Sequence, residues 1–316
     1  MDDIIRSFPD LLARAATGPP LTVAVAAAGS VSALEAVAAA ARAGIAEPVL
    51  VGRESEVRAG VRERGLEILD HARYVDAADD DAAAATAVAL SRTGEAHVLL
   101  KGSLRTDLLL RSVLDRQTGL RTGRLLSDVL LYEDSLSGVQ RLVGVTDGGI
   151  NPAPDTTALR QVVANAVEVF HALGHARPRV ALLSATEAVT AAVRSTGAAR
   201  EVVEWADRWL PGADVDGPLA LDNALLESAA AEKGIGGPVA GRADILVAPS
   251  IEAGNILGKA VKYLAGSTTA HVVVGARVPV LIPSRVESAS DKLHSIALGV
   301  VLVRAAAGAE VPGTDG

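Results

Sequence analysis

The chain has no cysteine in its 316 residues. That excludes structural disulfides, a cysteine nucleophile and thiolate metal ligands. Aromatic residues make up only 2%, so a core must be built from small aliphatic side chains. The aromatic platforms that stack nucleic-acid bases are nearly ruled out by the same scarcity. Positive charge is not in excess either. A net charge of −8 argues against a binder of nucleic-acid backbones, although it leaves room for a local basic cleft. No G-x-G-x-x-G follows the first strand-like run, where "AAAGSVSAL" offers one glycine, so a dinucleotide-binding Rossmann domain is not expected. The run "LTVAVAAAGSVSALEAVAAAA" is interrupted by Gly29, Ser30, Ser32 and Glu35, which argues against a membrane span. "MDDIIRSFPD" is acidic where a secretory signal needs positive charge. The expectation is a soluble cytoplasmic protein.

Aliphatic residues are abundant. The apolar fraction is 49%, and the length suits two domains of ordinary size. Short β-branched runs alternate with Ala/Leu-rich stretches of helical period. "LTVAVAA", "EPVLVG", "EAHVLLKG", "SDVLLYED", "RLVGVTDGG", "RVALLS", "ADILVAPS", "TTAHVVVG" and "VPVLIP" read as strands. "VSALEAVAAAARAG", "TDLLLRSVLDRQTG", "DTTALRQVVANAVEVFHALG", "ALDNALLESAAAEKG", "EAGNILGKAVKYLAG" and a last segment from Ser288 to about Ala305 read as helices. This alternation implies an α/β fold of parallel-rich sheets covered by helices on both faces. In such folds ligands sit beyond the carboxyl ends of strands. The informative loops are therefore "KGS", "TDGGINPAPD", "APSIEAGN" and "PSRVESASD".

Two apparent motifs fail on inspection. "GNILGKA" is one residue short of a P-loop and has Ala260 where a magnesium-binding hydroxyl belongs. His171 and His175 are spaced i, i+4, but no H-E-x-x-H accompanies them, and a helix end commonly holds such histidines without a metal. In "TDGGINPAPD", two glycines after a strand can turn backbone N–H groups towards an anion, with Asp147 and Asn151 adding polar contacts. The same loop also reads as a tight crossover with Asp155 as helix N-cap. "PSIEAGNILGK" puts Glu252, Gly254 and Asn255 at a helix opening, where phosphate is a natural guest, or where a connection simply needs glycine.

"PSRVESASDK" gathers seven polar side chains into ten residues. Ser288 and Asp291 have the spacing of a capping box. A cap does not account for Ser284 and Arg285. A hydroxyl, a guanidinium and a carboxylate within eight residues can also polarise a carbonyl, hold an anion and accept a proton.

Taken in order, "VLLKGSLRTDLLLRSVLDRQTGLRTGRLLSDV", "TDGGINPAPD", "GPLALDNALLESAAAEKGI", "VAGRADILVAPSIEAGNILGK" and "VPVLIPSRVESASDKLHSIAL" resemble the phosphate acetyl/butyryl transferase family, its butyryltransferases most. The resemblance covers about residues 95 to 300. It implies interconversion of acyl-CoA plus phosphate with acyl phosphate plus CoA. It also implies two α/β domains with an active-site cleft, akin to the isocitrate and isopropylmalate dehydrogenase architecture. The first domain would be discontinuous, 1–147 plus 276–316, with 148–275 as the second. Ser284 and Arg285 fall on the family's catalytic pair, and Asp291 on the carboxylate proposed as base. Asp147, Gly148, Asn151, Gly254, Asn255, Lys259 and Arg121 lie in the matching stretches as candidates for binding substrate or phosphate. No metal and no resident cofactor are implied; CoA enters as a substrate. The implied partners are acyl-CoA, phosphate and further copies of the chain, with no nucleic acid and no membrane. The chain departs from the family pattern at Pro283, Ser250, Asp128 and Gly29–Ser30. Those departures motivate a second reading, a CoA- or acyl-phosphate-binding homologue without turnover. A metal-dependent dehydrogenase of the same architecture is a third.

Overall fold

The structure, a computed structural model, describes residues 4–134, 136, 138–284 and 286–309. Arg285 lies outside the described residues. Backbone contacts divide the chain into two units, Pro9–Arg124 with Ala270–Gly316, and Met1–Phe8 with Leu125–Thr269.

The first unit opens with α1 (Phe8–Ala15), β1 (Leu21–Ala26), α2 (Val31–Arg42), β2 (Ala46–Gly52), α3 (Glu54–Glu63), β3 (Arg73–Asp76), α4 (Asp80–Arg92), β4 (Val98–Lys101) and α5 (Thr106–Val113). The second unit follows with β5 (Ser127–Asp134), β6 (Arg141–Thr146), α6 (Thr156–Ala172), β7 (Arg179–Leu183), α7 (Arg194–Trp209), β8 (Asp214–Leu219), α8 (Leu221–Leu225), α9 (Glu227–Glu232), β9 (Ile245–Val247) and α10 (Ile251–Lys259). The chain then returns to the first unit through β10 (Thr269–Val274), β11 (Val280–Leu281) and α11 (Ala289–Ala309).

Strand order in the first unit is β3-β2-β1-β4-β11-β10, and in the second β5-β6-β9-β7-β8. All neighbours within these sets are parallel except β10–β11 and β5–β6. The architecture is thus a mixed, mostly parallel α/β arrangement flanked by helices. Its cause is visible in β1 and β4: Val23–Ala26 and every residue of β4 are buried. A strand covered on both faces reads as a continuous apolar run, not as an alternation. The buried face of α2 is Ala33, Leu34, Ala36, Val37, Ala38 and Ala40. Such short side chains let α11 pack closely upon it. In the second unit the core joins Leu130, Tyr132, Val143, Val145, Ala181, Leu219 and Leu246.

Residues 127–146 group with the second unit because β6 pairs in parallel with β9, Gly144 to Ile245 through Thr146 to Val247. β10 groups with the first unit, where it pairs with β11. Some helices are shorter than their periodicity suggests. α5 stops at Val113, after which the Asp115 carboxylate accepts the N–H groups of Gln117 and Thr118 and turns the chain. "ALDNALLESAAAEKG" forms two helices because Leu226 is extended, with φ −117 and ψ 117. No helix among the described residues is long and apolar enough to cross a membrane.

Candidate active site

In the first unit β1, β4 and β11 lie side by side and parallel, so the loops leaving them emerge together. The loop after β1 turns at Ala27, which takes φ +55, an uncommon conformation for a residue with a side chain. The Ala27 carbonyl accepts hydrogen bonds from the Ser103 N–H at 2.8 Å and the Ser103 hydroxyl at 3.1 Å. Gly102 is required between them, because a Cβ there would overlap the Ala26 and Ala27 backbone. The "KGS" stretch thereby fastens the β1 and β4 loops to each other.

The loop after β11 contains the polar cluster. Ser284 is half-buried, and its N–H donates to Glu287 Oε1 at 2.8 Å. Glu287 is itself buried, faces His271 Nε2 at 3.7 Å through the same oxygen, and leaves Oε2 buried without a hydrogen-bond partner. Lys292 Nζ donates to the Glu287 carbonyl at 2.7 Å, the Ser284 carbonyl at 3.3 Å and the Ser32 hydroxyl at 2.7 Å. Burial holds the Lys292 ammonium below the usual lysine range, against the pull of the Glu287 and Asp291 carboxylates. One cation therefore ties the β11 loop, the first turn of α11 and the start of α2 together.

Asp291 is 1% exposed. Its Oδ2 accepts from the Ser288 hydroxyl at 2.5 Å and the Ser288 N–H at 3.2 Å, while Ser288 Oγ accepts the Asp291 N–H at 3.1 Å. This is a reciprocal capping box. The cap that the spacing of Ser288 and Asp291 suggests is therefore present.

In the second unit the loops after β6 and β9 are neighbours because their strands are paired. Asp147 is 3% exposed and turns its carboxylate back on its own loop. It accepts from Gly149 N–H at 2.8 Å, Ile150 N–H at 3.0 Å, Asn151 N–H at 3.1 Å and Asn151 Nδ2 at 2.5 Å. Burial, followed by the nearby Asp128 charge, pushes the Asp147 carboxyl up from the usual range, and these hydrogen bonds oppose the rise. The Gly149 N–H, one of those expected to meet an external anion, is thus already turned to Asp147. Asn151 also donates to the Leu126 carbonyl at 2.8 Å. Gly148 and Gly254 pack backbone to backbone: a Cβ on Gly148 would lie 3.0 Å from the Gly254 carbonyl carbon. The exposed Asn255 bridges the same seam, Nδ2 donating to the Gly148 carbonyl at 3.0 Å. Ser250 caps α10 by accepting the Ala253 N–H at 3.4 Å. Asp155 caps α6, accepting the Ala158 N–H at 2.8 Å, the role its position in "TDGGINPAPD" suggests.

Residues 79–300 match the family model described as "Phosphate acetyl/butaryl transferase". The chain belongs to this family. It is 43% identical over 263 residues to a phosphate acetyltransferase of Rhizobium meliloti, covering 83% of this chain and 82% of that one. It is 38% identical over 298 residues to a phosphate butyryltransferase of Clostridium beijerinckii, covering 94% and 98%. A solved branched-chain phosphotransacylase from Enterococcus faecalis V583 superposes with a TM-score of 0.79 at 33% identity, over 90% of this chain and 99% of that one.

Within this phosphate acetyl/butyryl transferase the candidates fall into two sets. In the first unit, hydrogen bonds join Ser284, Glu287 and Lys292, with Asp291 bonded to the adjacent Ser288; in the second, they join Asp147 to Asn151 and Asn255 to Gly148, with Gly254 packed against the Asp147 and Gly148 backbone. Arg121 stands apart from the Ser284 cluster's hydrogen bonds; its backbone bridges to Ala276 and its side chain is exposed. Lys259 is exposed at the last position of α10. "GNILGKA" is helical from Gly254 to Lys259 and makes no phosphate loop. His171 Nε2 lies 3.0 Å from the Gly212 carbonyl, and His175 packs edge-on against Phe170 with ring centroids 5.2 Å apart. Sequence reasoning assigned no role to Glu287 or Lys292. Their signal was present, since both lie in the polar cluster at the strand exit.

Proposed function

We propose that the protein catalyses acyl-CoA + phosphate ⇌ acyl phosphate + CoA on a short or medium, butyryl-like acyl chain. The observation that carries this is the Ser284 loop. It stands at the carboxyl end of a parallel strand, and buried charges on both sides hold its backbone. The relatives named above differ in the acyl group in their names, so chain length is the part of the reading that needs measurement.

In the thioester-forming direction a thiol of pKa ~8.5 is only a few per cent ionised at neutral pH, so a positioned carboxylate accelerates attack on the acyl phosphate carbonyl. The Ser284 hydroxyl donates to the developing oxyanion, and Arg285 grips the phosphate through its guanidinium fork. The family resemblance puts the base on Asp291. Asn255 and Asn151, with the backbone of Gly148 and Gly254, serve as the second set of substrate contacts. Asp147 acts through them by shaping their loop, and Arg121 and Lys259 offer exposed cations to the phosphates of CoA. The isocitrate/isopropylmalate dehydrogenase-like architecture, assembly into a homo-oligomer and a cytoplasmic location belong to the same proposal and rest on the family resemblance.

The test is a panel of acyl-CoA substrates from two to eight carbons, with phosphate and a thiol reagent. Phosphate-dependent release of CoA, fastest near four carbons, is expected. CoA binding by calorimetry without release from any member of the panel would favour the non-catalytic reading. NAD reduction that a chelator abolishes would favour the dehydrogenase.

A further inference from the structure

We propose that the second unit holds a separate binding site for an aliphatic carboxylate, in a cavity at the amino-terminal edge of its strands, with the Arg141 guanidinium taking the anionic head. The site is independent of the acyltransferase reading.

The cavity measures about 510 Å³, within the range of small-molecule sites. Its place follows from the strands. Arg141 opens β6, Arg179 opens β7 and Asp244 directly precedes β9, and all three line the cavity. These strands are parallel, so the loops that carry Asp147, Gly148 and Asn255 leave their opposite ends. From Arg141 to Thr146, β6 alone spans roughly 16 Å.

The charges of the lining favour an anion. Four arginines line the cavity, Arg6, Arg141, Arg179 and Arg242, against two carboxylates, Glu227 and Asp244. Each carboxylate is already taken by an arginine. Arg179 grips Asp244 with both arms of its fork, Nε to Oδ2 at 2.9 Å and Nη2 to Oδ1 at 2.8 Å. Arg242 Nε donates to Glu227 Oε1 at 2.5 Å. Arg141 is served less fully. The residue is 8% exposed, and its Nε donates to Asp134 Oδ2 at 2.9 Å. Asp134 Oδ1 accepts the Leu136 N–H at 2.9 Å, so the second oxygen is drawn to the turn rather than to the fork. Arg141 Nη2 is left buried with no hydrogen-bond partner among the described residues. A buried charged donor without an acceptor is costly, and in a native structure it calls for a partner. An anion seated in the cavity against this guanidinium supplies the compensating charge.

Two features select a carboxylate on an apolar chain over inorganic phosphate. A dianion would stand beside Glu227 and Asp244, whose charges oppose it more than they oppose a single negative charge. The lining is also apolar in part. Leu136 and Val139, from the turn between β5 and β6, line the cavity while exposed, and half-buried Leu226 lines it too. An aliphatic chain covers these side chains, whereas a phosphate ion leaves them in water.

The experiment titrates octanoate, butyrate and inorganic phosphate into the whole chain by calorimetry, for wild type, Arg141→Lys, Ser228→Trp and Ser284→Ala, with circular dichroism to check folding. Arg141→Lys keeps a charge for Asp134 but removes the fork. Ser228 is an exposed residue of α9 that lines the cavity, so Ser228→Trp fills the space. Octanoate is expected to bind wild type and Ser284→Ala alike. It should bind Arg141→Lys and Ser228→Trp at least ~10-fold more weakly, through loss of a charge-assisted hydrogen bond in one and of room in the other. Butyrate should bind more weakly than octanoate, and phosphate more weakly still. Either cavity variant decides alone should the other fail to fold. No binding of octanoate by wild type, wild-type affinity in a folded cavity variant, or phosphate binding as tightly as octanoate overturns the proposal. Loss of octanoate binding in Ser284→Ala would put the carboxylate in the candidate active site and overturn it too. None of these measurements uses turnover, so the acyltransferase reading stands or falls on the acyl-CoA panel alone.

Discussion

Lys292 Nζ donates to the Ser32 hydroxyl at 2.7 Å, joining residues 260 positions apart in the chain. Both lie at helix starts beyond the carboxyl ends of parallel strands. The ammonium also serves two carbonyls of the Ser284 loop, so its removal should be felt in turnover as well as in stability. Lys292→Met is expected to lower kcat at least ~10-fold. It should also destabilise by about 1.5–3 kcal/mol, the cost of one hydrogen bond from a charged group. Lys292→Arg should not restore activity, because the planar fork cannot take three acceptors arranged around a point charge. Urea unfolding and steady-state kinetics on the same preparations measure both effects. Unchanged turnover in Lys292→Met would remove the lysine from the positioning of Ser284.

Gly254 and Gly258 lie one turn apart on α10 but face different neighbours. A Cβ on Gly254 would overlap the Asp147 carbonyl, which is backbone and cannot move without shifting the β6 loop. A Cβ on Gly258 would meet the end of the Leu130 side chain at 3.0 Å, which can rotate. Gly254→Ala should therefore cost about 1–3 kcal/mol, as overpacking does. It should also lower turnover by separating Gly148 from Asn255. Gly258→Ala should be close to neutral, since relief of the helix penalty of glycine, about 1 kcal/mol, offsets the crowding. Equal effects of the two substitutions in urea unfolding would show that the seam between the β6 and β9 loops is not rigid.

What the sequence made legible follows the strength of each local signal. β1 and β4 announce themselves as continuous aliphatic runs because both their faces are covered. Asp155 was readable as a cap because the loop before it has few other uses for a carboxylate. Asp147 was readable as important but not in its task. Two glycines suggested N–H groups open to an anion, and only the folded loop shows the aspartate accepting them itself. Leu226 broke a helix that its neighbours' periodicity had run through, since a single extended residue leaves no trace in composition. Glu287 and Lys292 were visible as charges, but their bond partners, Ser284 and Ser32, are set by the turn and by tertiary packing.

His175 gives a prediction for acid stability. Burial pushes its imidazole below the ordinary value of 6.5, opposed by Asp244 and reinforced by the charges of Arg179, Arg6 and His171. The unfolded chain takes up the proton near 6.5, and the folded chain only at lower pH. Between those values the unfolded state binds more protons, so stability falls as pH drops, by at most about 1.4 kcal/mol per pH unit from this group. Above 6.5 the effect is absent. His175→Gln loses the edge-on contact with Phe170 and should be less stable at pH 7.5. Its deficit should shrink on acidification through 6.5, because the titrating group is gone. Urea midpoints at pH 7.5 and 5.5 provide the comparison, and a constant deficit would mean that His175 titrates alike in both states.

Asp155 and Asn255 separate the structural from the functional use of polar groups in the second unit. Asp155 Oδ1 accepts one N–H at the start of α6 and nothing else ties it to a loop of the site. Asp155→Ala should cost about 1 kcal/mol, the usual effect of losing an N-cap, with turnover preserved. Asn255 is exposed and makes one hydrogen bond, to the Gly148 carbonyl at 3.0 Å. Because Asn255 is exposed and Gly148 only partly buried, Asn255→Ala should change stability by less than about 0.5 kcal/mol, as surface substitutions do. If Asn255 contacts substrate, the same change should lower kcat/KM for phosphate or CoA at least ~10-fold. The pair thus predicts opposite patterns: a loss of stability without a loss of rate in one variant, and a loss of rate without a loss of stability in the other. An Asn255→Ala enzyme with wild-type kinetics would strip the α10 opening of its role in binding and leave it as a connection between β9 and the rest of its unit.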